Sequence, residues 1–313
     1  MLPLILRRLL ATIPVMGVVA LFVFALLRVT PGDPAAIIAG DYATTQDIAR
    51  IRASLGLDRP LQVQLTIWLG QVVRGDLGTS IFSGLPVSTL IKQRIEPTVA
   101  LTLLTMLISV LAAVPLGILA AWNQGSWLDR GVMVFAVSGF SMPVFWLGFL
   151  LVYVFSVWLG LLPVQGYTPF AQGFVPFLKH LILPALTLGL VFMALIARMT
   201  RASMLGVLQE DYIRTAFAKG LAPGWVLRRH ALKAASLPIV TIIGVGFALL
   251  IGGVVVTESV FAVPGIGRLS VEAILRRDYP VIQGVILVMS GAYVLVNLVV
   301  DLLYVVLDPR IRY

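Results

Sequence analysis

The chain has 313 residues, 59% of them apolar and only 12% charged, with a net charge of +9 and a mean hydropathy of +1.02. A soluble domain is about one quarter charged, and one water-soluble core cannot hide this much apolar surface in a chain of this length. The basic residues sit in short loops beside apolar runs, as positive-inside topology requires, so the charge does not indicate nucleic-acid binding; the absence of cysteine excludes a disulfide framework, a thiolate metal site and a Cys nucleophile.

Six apolar segments can each cross about 30 Å of hydrocarbon, which takes about 20 helical residues. They are residues 9–29, 98–122, 132–161, 181–199, 237–257 and 281–307. The fold class expected is an all-α polytopic membrane protein with six transmembrane helices, forming a single domain over residues 1–313. Arg7-Arg8 precede the first apolar run. That run exceeds the ~7–15 residues of a signal h-region and no small-x-small cleavage site follows it, so it reads as a retained helix. The third and sixth segments are long enough to require tilt or kinks, and Pro115, Pro143 and Pro184 mark candidate kinks.

Residues 31–96 form a patterned insertion between the first two spans. Thr44 or Thr45 can cap a helix carrying Ile48, Ile51 and Leu55 and ended by Gly56. A second helix from Pro60 places Leu61, Leu65, Trp68, Leu69 and Val72 on one face, and a third is expected from Pro86. These are amphipathic helices of a cap, not spans. An even number of spans puts both termini on one side, together with Arg7, Arg8, Arg130, Arg310 and Arg312 and the basic loop between the fourth and fifth spans. The opposite loops hold Lys179, Arg268, Arg276 and Arg277. The bias makes the termini and the basic loop cytoplasmic and the 31–96 cap extracytoplasmic. The chain contains no internal repeat and no low-complexity tract.

The third span carries Ser138-Gly139-Phe140-Ser141-Met142-Pro143-Val144-Phe145-Trp146. Pro143 frees a backbone carbonyl, and Ser138 and Ser141 offer hydroxyls beside it. Such a break suits either a polar translocation path, with Phe145 beside it, or close helix packing through small residues. Glu258 ends the fifth span ahead of Phe261 and the turn Pro264-Gly265-Ile266-Gly267. It is a candidate gate residue or the partner of Arg268. Asp301, one turn after Asn297 in the sixth span, is either a proton or cation relay or a structural polar group paired with an Arg such as Arg7 or Arg8; a lone intramembrane acid favours the structural role. His180 and His230 are the only histidines, fall on opposite faces, and provide neither a metal site nor a catalytic pair. No phosphate-cradling Gly-x-x-x-x-Gly-Lys-Ser/Thr motif occurs, and Gly265-Ile266-Gly267 lacks the third glycine of a dinucleotide loop. The chain is therefore expected to hold no cofactor and no metal of its own.

The basic loop, residues 203–235, is long enough for two short helices separated by Gly220-Leu221-Ala222-Pro223-Gly224. Its core, Asp211-Tyr212-Ile213-Arg214-Thr215-Ala216-Phe217-Ala218-Lys219-Gly220-Leu221, is followed by His230-Ala231-Leu232-Lys233 and Pro238. This string resembles the coupling loop of binding-protein-dependent ABC importer permeases, in the dipeptide/oligopeptide branch. Pro31-Gly32-Asp33-Pro34, Gly75-Asp76-Leu77-Gly78, Pro264-Gly265-x-Gly267 and Asp308-Pro309-Arg310-Ile311-Arg312 agree in the same order. Arg214 stands where the broader permease signature has Glu, so that residue's role is not carried over. The resemblance implies a permease subunit of a bacterial or archaeal inner membrane that pairs with a second, homologous permease subunit, two ATPase subunits that carry ATP and Mg, and an extracytoplasmic binding protein. It also implies that Asp211 to Gly220 dock on an ATPase, with Tyr212 and Phe217 as apolar anchors, Arg214 and Lys219 as rim charges, and Ala216, Ala218 and Gly220 permitting close approach. A basic amphipathic hairpin lying on lipid headgroups is the other reading of this composition.

Overall fold

The structure, a computed structural model, describes residues 2–29, 34–39, 44–54 and 56–307. The motif residues Pro31, Gly32, Asp33 and 308–312, and Leu55 of the cap, lie outside that set. Among the described residues the only β-feature is an isolated bridge between Thr79 and Pro86; the rest is helix and loop.

In chain order the helices are α1 (Leu2–Val29), α2 (Pro34–Ala39), α3 (Thr45–Ser54), α4 (Leu61–Val73), α5 (Val87–Trp122), α6 (Trp127–Ser141) and α7 (Val144–Val152), the last continued by a wide π-type segment, Tyr153–Trp158. There follow α8 (Phe174–Leu208), α9 (Asp211–Ala218), α10 (Pro223–Trp225), a second π segment (Val226–Ala231), α11 (Leu232–Val260), α12 (Ile266–Arg276) and α13 (Tyr279–Leu307). Among the described residues, five helices are long and apolar enough to cross a membrane, and a sixth span is obtained if α6 and the 144–158 helix count as one.

Three features differ from the sequence expectation. The helix expected from Pro86 is not a separate cap element; it is the start of α5, a 36-residue rod. Pro86 lies just ahead of the first helical residue, where its missing N–H has no intrahelical partner to lose. Lys92, Arg94 and Glu96 lower hydropathy without lowering helix propensity, so the rod begins well before its apolar part. Second, the third span is broken: its halves are bent by 104° at Met142–Pro143. Met142 is extended, at φ −85° and ψ 133°, as the residue before a proline prefers. Pro115 and Pro184, by contrast, sit inside α5 and α8, which run on through them. Third, the second helix of the basic loop is continuous with the fifth span through the π segment.

The described residues group into two units, Met1–Ile95 with Leu269–Val294, and Glu96–Arg268 with Leu295–Tyr313. In the first unit the cap is built from turns. Gly56 at φ +65° closes α3, with its N–H on Ala53 O and the Leu57 N–H on Arg52 O, the paired bonds of a Schellman end. In the Gly75-Asp76-Leu77-Gly78 motif, Asp76 Oδ1 accepts the Gly78 N–H at 2.9 Å. The next turn is fixed by Asp278, whose carboxylate accepts from Ser80 Oγ at 2.5 Å and from the Ile81 N–H at 3.2 Å. Trp68 of α4 lies 5.7 Å from the ring of Phe24 in α1.

The second unit is organised around α8, which packs against α6, α7 and α11. Of its most apolar window 61% is buried within the chain, so α8 is the interior helix of this unit. Helix contact here depends on small residues, as expected where lipid removes the hydrophobic drive for association. At Gly117 of α5 an added Cβ would lie 2.7 Å from the Ala197 carbonyl oxygen of α8. Ser109 Oγ of α5 bonds the Gly189 carbonyl of α8 at 3.1 Å.

Candidate functional site

The coupling-loop candidates form one short helix with two unlike faces. In α9, Ile213 and Ala216 are buried, in one apolar cluster with Ala121, Met204, Val226, Ala231, Ala235 and Ile239. Spacing of three and four places Phe217 beside them; it is half-buried, its ring 6.1 Å from that of Trp122. Asp211, Tyr212, Arg214, Thr215, Ala218, Lys219 and Gly220 are exposed. The two aromatic residues thus have different positions: Phe217 packs on its own chain, and Tyr212 stands outward. Partial burial, with the nearby Glu210 charge adding to it, pushes the Tyr212 phenol above its ordinary pKa. Arg214 lies 3.4 Å from Asp211 one turn back, an exposed pair of little energetic weight. Gly220 has φ +76°, with its N–H on Phe217 O and the Leu221 N–H on Ala216 O. Its conformation requires glycine; its surroundings do not, since a Cβ there would meet nothing within 4 Å.

At the far end of α11 the chain closes on itself. Glu258 is fully buried. Its carboxylate accepts from Thr98 Oγ1 at 2.6 Å and from the Arg268 backbone N–H at 2.9 Å, and Thr98 Oγ1 in turn accepts the Ile266 N–H at 2.8 Å. Carboxylate and hydroxyl together satisfy orphan N–H groups at the start of α12, where the helix dipole favours negative charge. Gly265 is packed against that carboxylate, which a Cβ would overlap, and a Cβ on Gly267 would lie 2.8 Å from Val255 Cα. Phe261 is buried with Leu147, Leu151, Leu183 and Val263, Pro264 is half-buried, and Ala262 takes the left-handed φ of 52° between them. The Phe261 carbonyl accepts the Gly166 N–H at 2.9 Å, tying the turn to the loop after the third span.

The third-span candidates have the opposite character. Ser138, Ser141, Pro143 and Phe145 are all exposed on this chain, and Ser141 Oγ bonds back to the Val137 carbonyl at 2.8 Å. These four flank the break in the sequence, whereas Glu258, Phe261 and Gly265 are buried. Asp301 is half-buried on α13, and His180 Nδ1 lies 2.9 Å from the Pro176 carbonyl oxygen.

Sequence reasoning missed Thr98 as the partner of Glu258 and the pair Asp129–Arg201. Arg201 bonds the buried Asp129 carboxylate twice, at 2.5 and 2.7 Å, and the Gly125 N–H adds a third bond at 2.9 Å. The signal was present in Ser126-x-x-Asp129, a helix-start pattern: Ser126 caps α6 and accepts the Asp129 N–H.

Residues 113–313 match the family described as "Binding-protein-dependent transport system inner membrane component", and residues 1–102 match its N-terminal companion. A protein of Sinorhizobium fredii named as a probable peptide ABC transporter permease is 56% identical, over 99% of each chain. The glutathione transport system permease protein GsiC of Salmonella typhi is 47% identical over the full length of both. Among solved structures, a chain of the MetNI methionine ABC transporter, in an inward-facing conformation, superposes with a TM-score of 0.60 at 18% identity, covering 71% of this chain and 97% of that one; this likeness concerns the fold. With the match spanning both parts of the chain, the protein belongs to the inner-membrane components of binding-protein-dependent transport systems.

Proposed function

We propose that this chain is one permease subunit of an ATP-driven importer that carries di- or oligopeptides across the inner membrane by alternating access. It works with a second, homologous permease subunit, two ATPase subunits that hold ATP and Mg, and an extracytoplasmic binding protein. The termini and the loop holding α9 are cytoplasmic, and the 31–96 insertion is outside, within one permease domain. The observation that carries the reading is the division of α9. Ile213 and Ala216 root the helix in the apolar cluster, while Tyr212, Arg214, Thr215, Ala218 and Lys219 are left outward for a partner. A helix rooted in this way moves as a rigid body with the spans it touches, which is what transmission of an ATPase closing motion requires.

In this scheme Ser138, Ser141, Pro143 and Phe145 line the translocation path, where a proline break beside hydroxyls can accept peptide backbone. Glu258, Phe261, Pro264 and Gly265 position the outer gate. Glu258 acts there by holding the turn, because its carboxylate is fully engaged inside the protein. Asp301 is structural.

The test is reconstitution with all partners in liposomes and measurement of peptide uptake and ATP hydrolysis. Gly220→Asp is expected to abolish coupled uptake, and Asp301→Asn to leave it largely intact. Normal transport by Gly220→Asp, with loss of uptake and of proton-gradient sensitivity in Asp301→Asn, would replace this reading with an ion-driven one. The chain alone is expected to show no ATP hydrolysis. A second reading of the cargo, glutathione, is favoured by the GsiC relative; excess glutathione would then abolish uptake of a labelled dipeptide.

A further inference from the structure

Where the coupling loop enters the fifth span, the backbone widens into the π segment Val226–Ala231, a form often found at functional sites. Val226 and Ala231 are fully buried and anchor both ends. The residues between them, with the first turn of α11, form a hollow of about 650 Å³ lined by Arg228, Arg229, His230 and Lys233. Arg228, Arg229 and Lys233 are exposed. Placing three cations around one hollow is unfavourable by itself, and the arrangement becomes favourable when an anion occupies it.

Two of these side chains are held in place. Arg228 Nε donates to the Gly224 carbonyl at 3.2 Å. The Arg229 guanidinium stacks 5.4 Å over the ring of Trp225, leaving its edge available for oxyanions, which guanidinium groups bind in paired bonds. Trp225 is itself half exposed, as is common for tryptophan at the level of lipid headgroups. Lys233 belongs to the helix that enters the apolar layer.

We propose that Arg228, Arg229 and Lys233, with His230, form a site for the phosphate headgroup of an anionic phospholipid such as phosphatidylglycerol. The assignment rests on the placement of this loop at the cytoplasmic membrane surface given above. Its occupant is a lipid and not a free anion because the hollow adjoins both a membrane-entering helix and an interfacial tryptophan. A bound lipid would fix the base of the coupling loop against the membrane as α9 moves.

The experiment measures lipid binding to the purified full chain in detergent by native mass spectrometry, titrating phosphatidylglycerol, phosphatidylcholine and inorganic phosphate separately. Phosphatidylglycerol is expected to bind at least about tenfold more tightly than phosphatidylcholine. The variant Arg228→Gln/Arg229→Gln/Lys233→Gln should lose that preference. The charge-retaining variant Arg228→Lys/Arg229→Lys should keep most of it, which separates lost charge from lost folding. Equal phosphatidylglycerol binding by wild type and the Gln variant overturns the proposal, as does equal loss in both variants. Competition by inorganic phosphate at lipid-like concentration makes the hollow a free-anion site and also overturns it. If the Gln variant keeps its lipid preference but releases the ATPase subunits, the basic surface docks protein and the lipid assignment fails. Cysteine labelling at Gln62 from each side of the membrane tests the topology separately, so a failure there is distinguishable from a failure of lipid binding.

Discussion

The segments before and after α11 use glycine for opposite reasons. At the loop end Gly220 has a left-handed backbone and open space around it. At the far end Gly265 is enclosed by the buried Glu258 carboxylate. The loop end keeps only a narrow apolar root inside and turns its polar residues outward. The far end turns its one acid inward and satisfies it with Thr98 and the backbone of α12. One end presents its polar residues at the surface, and the other is braced by its own hydrogen bonds. A substitution at the far end should therefore appear as lost stability, and one at the loop end as lost coupling.

The sharpest way to break this contrast is Gly265→Val. The new side chain must displace the Glu258 carboxylate or the turn, and overpacking of this kind, with loss of buried hydrogen bonds, costs about 3 kcal/mol or more. The expected result is low yield and a strongly lowered melting temperature of the purified full chain. A melting temperature within about 2 °C of wild type would show that the turn is loose and the contrast false. Glu258→Gln should have a smaller effect, about 1–3 kcal/mol, because an amide preserves shape but sets its NH2 against backbone donors. Thr98→Val should be non-additive with it, by at least about 0.5 kcal/mol in a double-mutant cycle. Strict additivity would mean that the two residues do not act as one unit.

At the loop end the expected loss of stability is smaller still. Gly220→Asp places a side chain on a left-handed backbone, a strain of about 1 kcal/mol, with no steric clash to add. The folded chain should reach the membrane and fail to retain ATPase subunits on co-purification. Full retention of those subunits, with normal uptake, would remove the loop from the coupling path.

Much of this was legible in the sequence, and what was not has a physical cause. Hydropathy located five long apolar helices, because about 20 apolar residues are needed wherever a helix crosses, and the sixth expected span is the bent pair 127–141 and 144–158. It misplaced their ends, because Lys92, Arg94 and Glu96 are good helix formers that simply lie beyond the apolar layer. Pro143 marked a break, but the size of the bend depends on what packs against it, and Pro115 and Pro184 carry the same local signal without ending their helices. Gly220 was readable as a helix end from its position after Lys219, since chain conformation is local. The engagement of Glu258 with Thr98 was not, because it joins residues 160 positions apart. Nothing local in the sequence pairs Arg201 with Asp129, 72 positions away; only the fold brings them together.

The smallest effect distinguishes two residues that the sequence treated alike. Tyr212 and Phe217 both read as apolar anchors for an ATPase. In the fold Phe217 is half-buried and lies against Trp122, whereas Tyr212 is 47% exposed. Phe217→Ala removes an aromatic contact and part of the root of α9, so it should lower stability by about 1–2 kcal/mol and weaken ATPase attachment only as far as α9 loosens. Tyr212→Ala removes a side chain that supports little within its own chain. Its effect on the melting temperature should correspond to about 0.5 kcal/mol or less, yet attachment should fall more than for Phe217→Ala, since an exposed aromatic residue is a characteristic binding hot spot. Measuring both quantities for both variants separates the roles. If Tyr212→Ala lowers stability more than Phe217→Ala and leaves attachment unchanged, then α9 docks through a different face and the division of its two sides has been assigned the wrong way round.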